Sequence, residues 1–256
     1  MAGDTTADVC IIGAGYTGLW TAYYLKKANP ALNILIVERE FAGFGASGRN
    51  GGWLTGGFAW SHDRYLRHSS PEAVRAMVRA MGGTVEEVIR VCTAEGIDAD
   101  ILRTDELMVA TNPAQRARMQ AEAQHRQSWG EERVSLLSQA ELSARIQIPG
   151  ALAALRVGGV ARVQPAKLLQ GLARTVEALG VRIVEGTTVT AYGPGQVQTA
   201  QGRVRAAIVL RCTEGFTADL PGHHRDWLPL NSAQIATAPL PPEIWKKIGW
   251  QGHEIL

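Results

Sequence analysis

Runs and spacings of apolar residues define elements from the start of the chain. Asp8 to Gly13 carries Val9, Cys10, Ile11 and Ile12 in succession and reads as a short apolar strand. Gly15 to Ala28 follows as a helix with a wide apolar surface from Leu19, Ala22, Tyr23 and Leu25, and Asn29-Pro30 stops it. Ile34-Leu35-Ile36-Val37 is apolar at every position, as expected for a strand covered on both faces in a parallel sheet. Strand, helix and strand in about thirty residues make one crossover unit. The stretch from Gly43 to Gly57 has too few apolar positions and too much glycine for a regular element, and it reads as a loop.

Helical periodicity returns from Pro71 to Gly96, with Val74, Met77, Val78 and Met81, then Val85, Val88, Ile89 and Cys92. Gly82-Gly83 is expected to break this segment into two helices. Leu107 to Ala110 is a short strand candidate, Pro113 to Ser128 a polar helix, and Ser138-Gln139-Ala140-Glu141 has the spacing of a capping box. Pro165 to Leu179 is the clearest helix: Pro165 opens it, Leu168, Leu169, Leu172, Ala173 and Val176 share a face, and Gly180 stops it. Strands follow at Val181 to Val184, Thr187 to Tyr192 and Val204 to Leu210, with a turn at Pro194-Gly195. The fold class is α/β, and the sheet pattern resumes after an intervening segment. Residues 1–70 and 150–218 are therefore expected to form one discontinuous domain, and residues 71–149 and 219–256 a second.

Composition narrows the classes. Of 256 residues, 46% are hydrophobic and 20% charged, as in ordinary folded proteins. Lys and Arg number 26 against 24 Asp and Glu, so a net charge of +2 gives no pull toward nucleic acid. The three cysteines, Cys10, Cys92 and Cys212, form no Cys-x-x-Cys pair; they are expected to be free, buried thiols, which fits a reducing cytoplasm. Val9 to Leu25 lacks the basic flank of a signal peptide and is interrupted by three glycines, and no 18-residue apolar run predicts a membrane span.

The chemistry is carried by glycine. Gly13-Ala14-Gly15-Tyr16-Thr17-Gly18 fits the G-x-G-x-x-G fingerprint between a strand and a helix, and Glu38 ends the second strand twenty residues beyond Gly18. Gly13 permits the tight turn, Gly15 lets backbone approach a pyrophosphate, and Gly18 lets helix and strand pack closely. The helix N-terminus offers unpaired N–H groups to phosphate. Glu38 suits the ribose hydroxyls of the adenosine and disfavours a 2′-phosphate, while Arg39 beside it reads as a solvated base. This motif alone leaves both FAD and NAD open, because both contain ADP. A second cluster, Gly45-Ala46-Ser47-Gly48-Arg49-Asn50-Gly51-Gly52, favours FAD: its glycines let main chain lie against a large planar ligand, and Ser47, Arg49 and Asn50 supply donors.

Together, Asp8 to Gly18, Val37-Glu38-Arg39 and Gly45 to Gly52 resemble the N-terminal signature of the FAD-dependent amino acid and amine oxidoreductases, the D-amino-acid oxidase and glycine oxidase superfamily. The second cluster is most similar to the gamma-glutamylputrescine oxidase-like branch. Val163-Gln164-Pro165 and its helix resemble the family's Pro-led helix, and Gly186-Thr187-Thr188-Val189 the strand whose main chain at Val189 meets adenine. Ile208 to Gly215 stands where the family has a strand ending in Ala-Thr-x-Gly beside the cofactor, which implicates Thr213 and Gly215, although Arg211-Cys212 departs from the small residues usual there. Leu228-Pro229-Leu230 to Ala236-Thr237-Ala238-Pro239-Leu240 resembles a strand opening the second part of the substrate domain.

The resemblance implies a Rossmann-like FAD-binding domain with an interleaved α+β substrate domain. It also implies oxidation of the C–N bond of a small amine or amino acid, with hydride transfer to flavin N5 and hydrolysis of the resulting imine. Oxygen or another acceptor would take the electrons. No protein nucleophile is required, and no Ser/His/Asp or Cys/His constellation is visible. His62 and His68 flank a Trp-, Arg- and Tyr-rich segment and read as surface or loop residues, with a substrate-side role for one as the alternative. His223 and His224 read as a solvated loop, and no helical His-x-x-x-His spacing points to metal. Members of the family are usually far longer, so the chain is expected to lack the C-terminal part of the substrate domain. The alternatives are a non-catalytic FAD- or ADP-binding fragment that needs a second half, and an NAD-dependent dehydrogenase.

Overall fold

The computed structural model describes residues 3–228 and 230–256. In chain order the elements are β1 (Thr5–Ile12), α1 (Tyr16–Ala28), β2 (Ile34–Val37), β3 (Trp53–Leu54), α2 (His62–Leu66), α3 (Pro71–Ala94), β4 (Leu102–Ala110), α4 (Pro113–Ser128), β5 (Val134–Ser138) and α5 (Gln139–Ser143). There follow β6 (Ala153–Arg162), α6 (Pro165–Ala178), β7 (Arg182–Val184), β8 (Val189–Gly193), β9 (Gln196–Thr199), β10 (Gly202–Arg211) and α7 (Pro242–Ile248). They sort into two units: residues 1–51, 94–99 and 164–234, and residues 52–93, 100–163 and 235–256.

The first unit is built on a six-stranded sheet in the order β7-β2-β1-β10-β9-β8. Its parallel part is β7, β2, β1 and β10, with Val9 level with Ile34 on one side and Ile208 on the other. The β8–β9–β10 meander is antiparallel. The all-apolar β2 is buried at every position, as both-face coverage requires. On one face Cys10, Ile12, Leu35 and Val37 meet Val189, Val197 and Val204 from the meander. Alternation turns Ile11 to the other face, where it lies against α1 at Gly18. The anticipated apolar face of α6, including Leu168, Leu169, Leu172 and Val176, is fully inside, and the helix packs on α1. Burying a leucine such as Leu172 stabilises the unit by roughly 1.5–3 kcal/mol.

The second unit centres on β6, which pairs antiparallel with β4 along one edge and with β5 and β3 along the other. Leu107, Leu137, Leu142, Ile146 and Ala154 form one apolar cluster; Ala123 of α4, Val134, Leu155, Val157, Val160 and Ile255 form another. Ile255 runs beside β4, where its N–H donates to Asp105 O (3.0 Å) and its carbonyl accepts from Leu107 N (2.8 Å). Asp105 accepts hydrogen bonds from Arg145 (2.6 Å) and Arg156 (2.7 Å). Burial works to raise its carboxyl pKa, but the two guanidiniums outweigh burial and hold it below the usual range.

Several expectations change. Gly82-Gly83 does not break the helix: α3 is continuous, with Val74, Val85, Val91 and Cys92 buried, because glycine weakens a helix by only about 1 kcal/mol relative to alanine. β5, β6, β9 and β3, which lies inside the stretch read as a loop, were not anticipated, and β4 begins five residues before the strand read from sequence. Residues 52–70 and 150–163 sit in the second unit, not the first, because β3 and β6 pair with each other; residues 94–99 and 219–234 sit in the first. Leu230 to Leu240 forms no strand, and Leu230 and Ile235 are almost fully exposed, while Pro239 has no N–H to give a ladder; Pro229 lies outside the described residues. Among the described residues no helix is long and apolar enough to cross a membrane.

Candidate functional site

The chain leaves β1 through the first glycine motif and enters α1. Gly13 has φ +104°, and a Cβ there would stand 2.6 Å from Cys212 O, so both backbone angle and space demand glycine. A Cβ on Gly18 would run into Gly13 O, which fixes the close approach of helix to strand. α1 carries no acidic residue in its first turn, and its N-cap is Gly15, which has no side chain to cap it. The N–H groups of that turn therefore face outward with the positive end of the helix dipole.

The second glycine cluster folds back over this helix end. Ala46 to Gly48 makes one 3-10 turn, and Ser47 Oγ accepts from Tyr16 N at 3.1 Å. A Cβ on Gly15 would lie 2.8 Å from the same hydroxyl oxygen. At the end of β2, the half-buried Glu38 accepts from Ala14 N (2.8 Å) through one carboxylate oxygen and from Glu40 N (3.0 Å) through the other. It ties the glycine turn to the strand end, and each oxygen keeps a second lone pair for a ligand hydroxyl. The segment before β8 is docked on the same strand end by Thr187 N to Glu38 O (2.8 Å) and Gly186 N to Glu40 O (3.0 Å).

These pieces enclose a cavity of about 180 Å³ at the carboxyl ends of β1, β2 and β10. In a parallel sheet this is the expected ligand crevice, where the chain departs to opposite sides of β1. The volume is below the roughly 300–1,000 Å³ of whole-ligand pockets, so it suits one part of an extended ligand. Of the residues singled out from sequence, Gly13, Gly15, Glu38, Arg39, Ala46, Ser47, Val189 and Thr213 border it. Tyr16, Thr17 and Gly18, in the first turn of α1, do not border it. Arg49 and Asn50 turn elsewhere: the Arg49 guanidinium lies 4.7 Å from the Phe44 ring centre, and Asn50 Nδ2 donates to Ser47 O at 2.8 Å. Gly51 and Gly215 do not border the cavity either, Gly215 N donating to the Glu214 carboxylate. Gly52 belongs to the second unit.

Arg39 is not a free solvated base. Its guanidinium lies 4.8 Å from the Phe216 ring centre, pairs with Asp219 at 3.3 Å and with Glu40 at 3.5 Å. Sequence reasoning did not single out Phe44, Glu214, Phe216 or Asp219 as site residues. Phe216 comes within 3.0 Å of where a Cβ on Gly45 would stand, a contact no local pattern reveals. Cys212 also borders the cavity and is half-buried; burial raises its thiol pKa, and all three cysteines are free.

Two histidines are in places the sequence did not indicate. His62 is buried in the second unit, stacked on Trp129 with ring centres 5.5 Å apart and Nε2 3.0 Å from Glu131 Oε1, though not aligned as a hydrogen bond. His223 links Tyr192 Oη (2.9 Å) to Asp226 Oδ2 (2.5 Å) in the first unit.

The crevice fits an ADP-containing cofactor on its own geometry: a helix N-terminus whose Tyr16 N–H meets the Ser47 hydroxyl, glycines where side chains would intrude, and the Glu38 carboxylate at the end of β2. Comparison with known proteins gives the family. The chain matches the FAD dependent oxidoreductase (DAO) family over residues 8–255, and it belongs to that family. Its members depend on FAD, which sets aside the NAD-dependent alternative.

The gamma-glutamylputrescine oxidoreductase of Escherichia coli (strain K12) is 29% identical over 220 residues, covering 84% of this chain and 50% of that protein. A probable oxidoreductase, OrdL, of Haemophilus influenzae is 26% identical, covering 91% of this chain and 56% of that protein. Among solved structures, glycine oxidase from Geobacillus kaustophilus superposes with a TM-score of 0.70 at 22% identity, over 86% of this chain and 58% of the other. L-proline dehydrogenase from P. horikoshii gives 0.71 at 18%, over 87% and 56%. The fold is thus that of the family, and the chain spans about half the length of the curated relatives it matches.

Proposed function

We propose that the first unit binds FAD by its ADP half and that the chain serves oxidation of the C–N bond of a small amine or amino acid, giving an imine that water hydrolyses. The carrying observation is the single crevice that joins the α1 N-terminus, Ser47 and Glu38. When bound, FAD supplies the redox chemistry by accepting a hydride from the carbon beside the amine nitrogen. In this reading Gly13, Gly15, Tyr16, Thr17 and Gly18 present backbone to the pyrophosphate, with Ser47 beside them. Glu38 holds the ribose hydroxyls, and Val189 flanks the adenine. Arg39, tied to Asp219 and Phe216, closes the adenosine end and offers no free cation to a 2′-phosphate. Ala46, Arg49, Asn50, Gly51, Thr213 and Gly215 are proposed along the remainder of the cofactor. Free thiols at Cys10, Cys92 and Cys212 support a reducing, cytoplasmic setting, and oxygen or another carrier takes the electrons.

The test is spectroscopic. The purified chain, reconstituted with FAD, should show the flavin absorption bands, and anaerobic addition of its amine substrate should bleach them. No bound flavin after reconstitution contradicts the reading. Flavin that binds but is bleached by no amine or amino acid would reduce the role to cofactor binding.

A further inference from the structure

Several charged side chains of the second unit are paired with one another. Glu86 accepts from both amino groups of Arg103 (2.8 and 2.6 Å), and Arg126 grips Glu131 (3.0 and 2.6 Å). Arg79 of α3 and Arg133, just before β5, are not paired: among the described residues neither side chain has a hydrogen bond or an ion pair. Both border the same cavity, of about 440 Å³, whose residues all belong to the second unit. Its size falls within the roughly 300–1,000 Å³ of small-molecule sites.

The walls are kept open by glycine. Gly82 and Gly83 sit inside the 24-residue α3, where glycine lowers helix propensity, and no atom lies within 4 Å of where either Cβ would stand. Across the cavity, Gly159 of β6 has φ +77°, and a side chain there would collide with the Arg133 guanidinium laid over it. The Arg133 charge reaches into the cavity: after the Arg103 hydrogen bonds, it helps hold the Glu86 carboxyl below the usual range. Phe58 and Val78 give the lining an apolar component. With Glu86 and Glu131 already paired, two free guanidiniums face one remaining carboxylate, Glu132.

We propose that this cavity binds a small organic dicarboxylate with a short apolar spacer, its carboxylates held by Arg79 and Arg133. Guanidinium forks suit carboxylates in paired hydrogen bonds, and the glycine walls give the spacer room. The proposal is independent of the cofactor reading, since no residue of the FAD crevice takes part.

Isothermal titration of the full chain with adipate tests it, with uncharged adipamide as control. Adipate should bind saturably, one per chain, and adipamide should not. Arg79→Gln and Arg133→Gln, both at exposed positions, should each weaken adipate by about tenfold or more. Gly83→Leu, which fills the cavity from a helix position that favours leucine, should abolish binding while the thermal midpoint stays at or above that of the parent chain. The proposal is overturned by no saturable adipate binding, by equal binding of adipamide, or by unchanged affinity in both arginine variants.

Discussion

Ser47 joins the two glycine clusters through one atom, its hydroxyl oxygen, which occupies a helix-end donor that a phosphate would also use. Removing it by Ser47→Ala leaves Tyr16 N without that acceptor. The unliganded chain should lose about 1 kcal/mol, read as a lowered midpoint in urea unfolding. His62 gives a second residue-scale prediction. Burial lowers its pKa below 6.5, against the pull of Glu131 and with a further push from His125 and Arg126. The unfolded chain then binds the proton more readily, so stability is full above pH 6.5 and falls as pH drops below it. Urea midpoints between pH 8 and 5 should show this slope, and His62→Gln should flatten it. An unchanged slope in that variant would assign the effect elsewhere. Asp105 acts in a separate, more acidic window: its lowered pKa contributes stability that is lost only as pH falls through and below 3.8.

At the scale of elements, what could be read from sequence was what repeats locally. α6 was legible because Pro165, the leucine face and Gly180 agree, and the structure buries all of that face. Leu172→Ala should cost about 2–5 kcal/mol, measurable by chemical denaturation. β1, α1 and β2 were legible for the same reason. β6 was not: Arg156, Gly158 and Gly159 interrupt its apolar run, and only pairing with β4, β5 and β3 makes it the centre of a sheet. The unbroken α3 shows the opposite error, in which a local breaker was overridden by burial of Val74, Val85 and Val91 on either side of it. Gly83→Ala should therefore raise stability by about 1 kcal/mol, since open space surrounds the position. At the crevice, Gly13, Gly15 and Glu38 were legible by spacing, whereas Gly51 and Gly215, also read from sequence, do not border it. Phe216 and Asp219 did not, because their roles arise from contacts with Gly45 and Arg39 far away in the chain.

At the scale of the whole molecule, the two interleaved units have different tasks in this account. Cofactor binding belongs to the first, so FAD at about 100 times its Kd should stabilise the chain against unfolding by roughly 2.7 kcal/mol. Hydrogen exchange should slow at Ala14 to Gly18 and Glu38 to Ser47 before it slows anywhere in the second unit. The most direct measurement of the central claim is a titration of the chain with FAD, followed by quenching of flavin fluorescence, alongside Gly15→Val. The backbone at Gly15, φ −87°, accepts valine; the Ser47 hydroxyl, 2.8 Å from the new Cβ, must swing aside, and the side chain blocks approach to the helix end. An unfolding midpoint measured on the variant separates lost fold from lost binding. The account predicts saturable binding of one FAD per chain, competition by ADP, and an affinity loss of about 100-fold or more in Gly15→Val. Equal FAD affinity in the two proteins, or no competition by ADP, would contradict it.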